Sequence, residues 1–209
     1  MTTTIILLIK ILAAGLIAYI IGSIPTGYIV VKSFTGQDIR TIGSGSTGAT
    51  NVKRVMGKKW FFIVLLLDAL KGAVPVLLAK FIPFFQISSD KLVGITAVIA
   101  AIFVLLGHSK SVFLGFTGGK SVASGVGTML ALSPVVGLSI AVIWAVITYF
   151  SKYVSLGSII ALALSPLLMY LFKQPVSYIC YCIIGAIYVI YLHRENIKRL
   201  ISGTENKVR

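Results

Sequence analysis

Acidic residues are scarce: five Asp and Glu stand against 19 Lys and Arg in 209 residues, giving a formal charge of +14. So few carboxylates leave no cluster to hold a divalent cation and no carboxylate pair for general acid–base work. Cysteine is scarcer still. Cys180 and Cys182 are two apart and leave opposite sides of a helix, which argues against a disulfide framework, a zinc site or a cysteine nucleophile. A Ser–His–Asp set is missing too, so no covalent enzyme intermediate is expected, and nothing calls for a metal or an organic cofactor. Charged residues make up only 11% of the chain, against about 25% in soluble domains. A nucleic-acid binder shares the basic balance but not this composition. Before the first polar loop there is no A-x-A cleavage site, and the one early basic residue, Lys10, sits inside the apolar run. That run is expected to be a retained span rather than a signal peptide.

What fills the chain is hydrophobic: 57% of residues, with a mean hydropathy of +1.01. Apolar stretches of membrane-helix type cover roughly 4–31, 58–80, 91–107, 121–132, 134–150, 155–172 and 176–192. The fourth is short and contains Gly125 and Gly127, so length alone allows six spans or seven. Charge favours seven. With the N-terminus outside, the inner side collects Lys32, Arg40, Lys53, Arg54, Lys58, Lys59, Lys110, Lys120, Lys152, Arg194, Lys198, Arg199, Lys207 and Arg209. The outer side keeps Lys80, Lys91 and Lys173. The expected fold is an all-α, polytopic membrane bundle, one domain over 1–209, with seven transmembrane helices, N-terminus outside and C-terminus cytoplasmic. Asp68 and Lys71, three apart in mid-span, are expected to neutralise each other as a structural pair facing the bundle. Pro25 and Pro75 read as kinks, Pro83 and Pro134 as boundaries.

Three polar clusters share the inner face. The first is Gly43-Ser44-Gly45-Ser46-Thr47-Gly48-Ala49-Thr50-Asn51 with Arg54. Its glycines allow φ > 0 and inward-pointing amides, and the hydroxyls, the amide and the guanidinium suit a phosphate. It matches G-x-G-x-x-G, but a dinucleotide fold needs a preceding strand, and here the loop lies between spans. The second runs from Gly107-His108 to Gly118-Gly119-Lys120-Ser121, a turn with a lysine opening the fourth span, where the helix dipole favours an anion. Leu114 stands where a nucleotide-binding P-loop needs glycine. The third is His193-Arg194-Glu195-Asn196-Ile197-Lys198-Arg199, with His193 and Asn196 expected on one helical face. Together the clusters offer amides, Arg54, Lys120 and His193, with no acidic residue expected nearby.

The chain resembles the bacterial acyl-phosphate:glycerol-3-phosphate acyltransferases, the PlsY family of integral membrane enzymes. The resemblance is carried by Gly22-Ser23-Ile24-Pro25-Thr26-Gly27, Gly43–Arg54, Leu67-Asp68 with Lys71-Gly72, Gly107–Gly127, Tyr153–Ser158 and His193–Glu205. One departure is Ser46, where the family's first motif usually has the longer Asn. The His-x-x-x-x-Asp motif of other acyltransferases is absent, since Phe113 and Lys198 stand five after the two histidines. The resemblance implies transfer of a fatty acyl group from acyl phosphate to glycerol 3-phosphate, giving lysophosphatidic acid and phosphate at the cytoplasmic side of the bacterial inner membrane. The loop with Ser44, Gly45, Gly48, Thr50 and Asn51 is expected to hold the acyl phosphate head, with Ser46 a further substrate-binding candidate. Arg54, Lys120, Ser158, His193 and Asn196 are assigned to glycerol 3-phosphate, with Gly118 and Gly119 supplying amides. Arg54, Lys120, His193 and Asn196 are the expected catalytic set. The acyl chain is expected in a groove open to lipid, and the basic inner loops permit docking of the soluble enzyme that makes acyl phosphate. Two rivals have different signatures: an anion transporter calls for inverted repeats, and a CoA-thioester enzyme calls for a general base and room for a nucleotide.

Overall fold

The computed structural model describes residues 2–87 and 94–208, and every regular element among them is helical. The elements are α1 (Thr2–Ser23), α2 (Thr26–Thr35), α3 (Ala49–Met56), α4 (Lys58–Phe81), α5 (Ile95–Ser109), α6 (Val122–Leu132), α7 (Pro134–Ser151), α8 (Val154–Leu171), α9 (Val176–Leu192) and α10 (Arg194–Ile201). The expected apolar stretches are helical, except that the first, 4–31, is broken at Pro25 into α1 and α2; the ends of the others that are described fall close to those expected. Lys91, the opening residues of the stretch expected from 91, and Arg209 lie outside the described residues.

Among the described residues, four stretches are long and apolar enough to cross a membrane: Thr4–Thr35, Lys58–Phe81, Pro134–Ser151 and Val154–Leu171. The pair α9 and α10 passes the same test together, with a 61° bend at His193. The helices α5 and α6 are shorter, at 15 and 11 residues. At 1.5 Å per residue, α6 is about 17 Å long, well under the hydrocarbon thickness of about 30 Å. Proline acts where the sequence places it. Pro25 separates α1 from α2, Pro134 opens α7, and Pro75 is tolerated inside α4.

Lipid gives little hydrophobic drive for helix association, so close approach of backbones has to supply contact. Gly22 meets the backbone of Val104 and Gly107 meets that of Tyr19 and Ser23, which locks α1 against α5. Gly72 against Ser124 and Gly127 against Ala69 do the same for α4 and α6. Any side chain at Gly127 strikes the Ala69 carbonyl. Leu12, Phe62, Leu66 and Leu138 are exposed on the outer faces of the bundle, as a lipid-facing surface requires.

The buried charges are matched. Lys71 lies 2.8 Å from Asp68 and donates to the Ile24 carbonyl at 2.7 Å, while Thr26 donates to Asp68. The pair thereby satisfies polar groups freed where the chain breaks between α1 and α2. Lys80 Nζ caps the last carbonyls of α6, at 2.8 Å from Ala131 and 3.2 Å from Leu132.

Candidate active site

Asn51, on the first turn of α3, organises the glycine loop. Its Nδ2 donates to the carbonyls of Ile42 at 2.9 Å, Ser46 at 3.0 Å and Ile39 at 3.3 Å, and its Oδ1 accepts from the Ser44 amide at 3.0 Å. The loop turns through Gly43 and Gly45 at φ +61° and +67°, and the Asn51 amide occupies the space beside Gly43 where a Cβ would go. Ser46 Oγ accepts from the Gly48 amide at 3.3 Å, so the short side chain at the departing position closes a local turn. Arg54, one turn past Asn51, makes no ion pair or hydrogen bond among the described residues.

Across from it, Lys120 precedes α6 and donates to Asn196 Oδ1. Asn196 Nδ2 donates onward to Glu205 Oε1 at 2.7 Å. Glu205 also accepts from Ser155 Oγ at 2.8 Å and Arg199 Nε at 2.7 Å. The Val208 amide donates to the Lys152 carbonyl at 2.8 Å, which ties the tail over the α7–α8 turn. Burial above all, then repulsion from Arg199 and, more weakly, from Arg54 and Arg194, lowers the Lys120 pKa against the pull of Glu205. Burial likewise drives His193 down to about 4, so the ring is neutral at physiological pH. Its Nδ1–H donates to the Val189 carbonyl at 2.8 Å, which leaves the Nε2 lone pair available as an acceptor.

These groups line one cavity of about 1250 Å³. Its polar end holds Ser44, Ser46, Gly48, Thr50, Asn51, Arg54, Lys120, Ser158, His193 and Asn196. Its apolar limb runs between α4 and α7 along Phe62, Leu66, Ala123, Val126, Ala141 and Ala145, with α6 as the floor. Phe62, Leu66 and Ala145 are exposed, so this limb opens sideways toward lipid.

Residues 12–203 match the family model of glycerol-3-phosphate acyltransferase. The chain belongs to the glycerol-3-phosphate acyltransferase family. A glycerol-3-phosphate acyltransferase of Nostoc sp. PCC 7120 is 46% identical over 206 residues, spanning 94% of this chain and 91% of that protein. That of Clostridioides difficile strain 630 is 42% identical over 198 residues, spanning 93% of each. Among solved structures, the glycerol 3-phosphate form of PlsY (YgiH), an integral membrane glycerol 3-phosphate acyltransferase, superposes with a TM-score of 0.85. It is 38% identical and covers 95% of this chain and 96% of that one. Its lysophosphatidic acid form gives 0.83 at 37% identity, covering 95% of both chains.

Within this family fold, several side chains stand otherwise than the sequence suggests. Gly45 and Gly118 border a smaller cavity of about 380 Å³ behind the loop, with Asp38, Arg40 and Thr117. Gly119 is outside the main cavity as well, its amide donating to the His108 carbonyl at 3.1 Å. Close packing accounts for that glycine pair, not amide donation into the main cavity. Asn51 spends its bonding capacity inside the loop, Ser46 Oγ accepts one bond there, and Ser158 is shared between Trp144 Nε1 at 3.2 Å and the Val154 carbonyl at 2.8 Å. His193 and Asn196 do not share one straight helix, because the chain bends between α9 and α10.

The expectation of a site without acid is also wrong: the Glu205 carboxylate lies in it, held by Arg199 of the third cluster, with Ser155 and Trp144 as further participants that were not singled out from the sequence. Glu205 carried a signal, being one of five acids in a chain of charge +14. Ser155 lies within Tyr153–Ser158, one of the segments that carry the resemblance, whereas Trp144 carried no signal.

Proposed function

We propose that this chain transfers a fatty acyl group from acyl phosphate to glycerol 3-phosphate, giving 1-acylglycerol 3-phosphate and inorganic phosphate, as the first acylation of phospholipid synthesis. The observation that carries this is a single cavity with a cationic end and an apolar limb. The cationic end fits two phosphates and the limb fits an acyl chain.

In this reading the Ser44 and Thr50 hydroxyls of the loop bind the acyl phosphate head, with its chain lying over α6; Arg54, expected from the sequence with glycerol 3-phosphate, is assigned instead to the acyl phosphate because α3 carries it beside the loop. Lys120, held by Asn196, binds the glycerol 3-phosphate phosphate group, with Ser158 and His193 close by. The glycerol hydroxyl oxygen attacks the acyl carbonyl carbon. An ester C–O bond forms, the anhydride C–O bond breaks, and its electron pair leaves with phosphate. The hydroxyl proton passes to a phosphate oxygen of the substrate, with neutral His193 Nε2 as the competing acceptor. Orienting the two reactants supplies roughly 7–11 kcal/mol, and each charge-assisted bond to the leaving phosphate adds about 1.5–3 kcal/mol. Activation resides in the donor, so no acyl-enzyme is needed.

The basic inner loops support seven spans, with the N-terminus outside and the cavity mouth facing the cytoplasm at the bacterial inner membrane. The same charges suit docking of the soluble enzyme that supplies acyl phosphate. The test presents purified protein with palmitoyl phosphate or palmitoyl-CoA, each with glycerol 3-phosphate. Turnover of the phosphate donor alone is expected. Turnover of the thioester alone, or of neither, refutes the reading.

A further inference from the structure

Beneath the turn that carries Lys120, and bordering the same cavity, lies a buried histidine to which the proposed reaction gives no role. His108 closes α5, and the backbone at Gly119 rests directly on its ring: a Cβ at Gly119 would fall onto His108 Nε2. Gly118 is pressed equally closely against the His108 carbonyl, which also accepts the Gly119 amide. The ring is held from its other side. Its Nδ1 is 3.1 Å from Ser124 Oγ on α6 and 3.7 Å from Asp68 on α4. Asp68 is itself fixed by Lys71 and Thr26. The imidazole therefore stands on a frame drawn from α2, α4 and α6, with its far nitrogen facing the turn. The next residue along that turn is Lys120.

We propose that His108 is a positioning residue: its imidazole is a wedge whose reach sets the height of the Gly119 backbone and hence the place of the Lys120 ammonium opposite Asn196. The glycine at 119 is the counterpart of that wedge, since the ring fills the space of any side chain there. The proposal rests on the reading that Lys120 binds glycerol 3-phosphate only for its kinetic consequence. The geometric claim stands apart from it.

Two substitutions separate the wedge from the hydrogen bonds. His108→Asn keeps a polar atom near Nδ1, for Ser124 and Asp68, but vacates the space under Gly119. His108→Gln extends a polar atom toward Nε2 and refills it. Lys120 is then labelled in the purified full-length protein with an amine-reactive ester and quantified by mass spectrometry. His108→Asn is expected to raise Lys120 labelling several-fold while His108→Gln stays close to wild type. Equal labelling in all three overturns the proposal, as does a rise in His108→Gln alone.

In the acyltransfer assay, His108→Asn is expected to raise the KM for glycerol 3-phosphate about tenfold with kcat little changed. Gly119→Ala is expected to raise it as well, and the double variant Gly119→Ala with His108→Asn to recover part of that loss, because the vacated space admits the methyl group. A purely structural histidine gives additive losses and no recovery, which refutes the wedge. If wild-type protein turns over no glycerol 3-phosphate, the functional reading fails, and the labelling result still decides the wedge.

Discussion

Glu205→Gln tests how the tail supports the site. The Glu205 side chain is 6% exposed and accepts three hydrogen bonds, from Asn196, Ser155 and Arg199. Glutamine preserves the shape but brings an NH2 group. Turned one way, that group faces the Arg199 guanidinium; turned the other, it faces Asn196 Nδ2 and Ser155 Oγ. Either way, a donor meets a donor. One charge-assisted bond of about 1.5–3 kcal/mol is lost. Arg199 is 37% exposed, so screening by solvent places the loss toward the lower end. At 1.4 kcal/mol per tenfold, a loss of about 1.5–2 kcal/mol is a factor of roughly 10–30. Because Asn196 links Glu205 to Lys120, the loss is expected mainly in the KM for glycerol 3-phosphate, measured by initial rates at fixed palmitoyl phosphate. The pH dependence adds a second check. Burial raises the Glu205 pKa, but the bonds from Asn196, Ser155 and Arg199 outweigh it and leave the carboxyl below its ordinary 4.5. A depressed folded pKa means a contribution complete above pH 4.5 and lost as pH falls through the folded value. Wild-type thermal stability is therefore expected to fall below that pH more steeply than that of Glu205→Gln. Unchanged KM and an unchanged melting profile in the variant refute the tail's role.

Other outcomes follow from the same geometry. His193 is neutral down to about pH 4 when folded but protonates near 6.5 when unfolded, so acid favours the unfolded chain between those values. The thermal midpoint of wild type is expected to drop across that window, and that of His193→Gln to drop less. Ala123→Phe fills the floor of the apolar limb. It is expected to raise the KM for palmitoyl phosphate at least tenfold while the KM for glycerol 3-phosphate stays within about twofold; the opposite pattern refutes the two-ended cavity. Gly127→Leu drives a side chain into the Ala69 carbonyl. Overpacking of this kind costs about 1–3 kcal/mol or more, read as a lowered thermal midpoint in detergent, and an unchanged midpoint contradicts the α4–α6 contact.

Much of this architecture was legible in the chain itself, because a bilayer punishes every unsatisfied backbone group and so converts apolar runs into helices with little ambiguity. The ends of α4, α7, α8 and α9 fall within a few residues of the apolar runs, and Pro25 and Pro134 break the chain where proline must. The glycine loop, Arg54, Lys120 and His193 stood out as a candidate anion-binding set because glycines, hydroxyls and cations come together there between apolar runs. The division of labour within that set was not legible. Whether Asn51 binds a ligand or a loop depends on where the carbonyls of Ile39, Ile42 and Ser46 come to rest. Gly119 reads as a phosphate glycine, yet the ring beneath it comes from α5, eleven residues earlier.

The sequence by itself determined the helical membrane bundle and the chemistry of its polar face, since both follow from residue type and order along the chain. Only the tertiary structure decided which polar side chains face the cavity and which are spent on holding it. It alone brought Glu205 into the site and laid the 11-residue α6 as the floor of a groove. The reason is physical. A hydrogen bond is settled by distance and direction between groups that the chain keeps far apart, and those become fixed only when the helices pack.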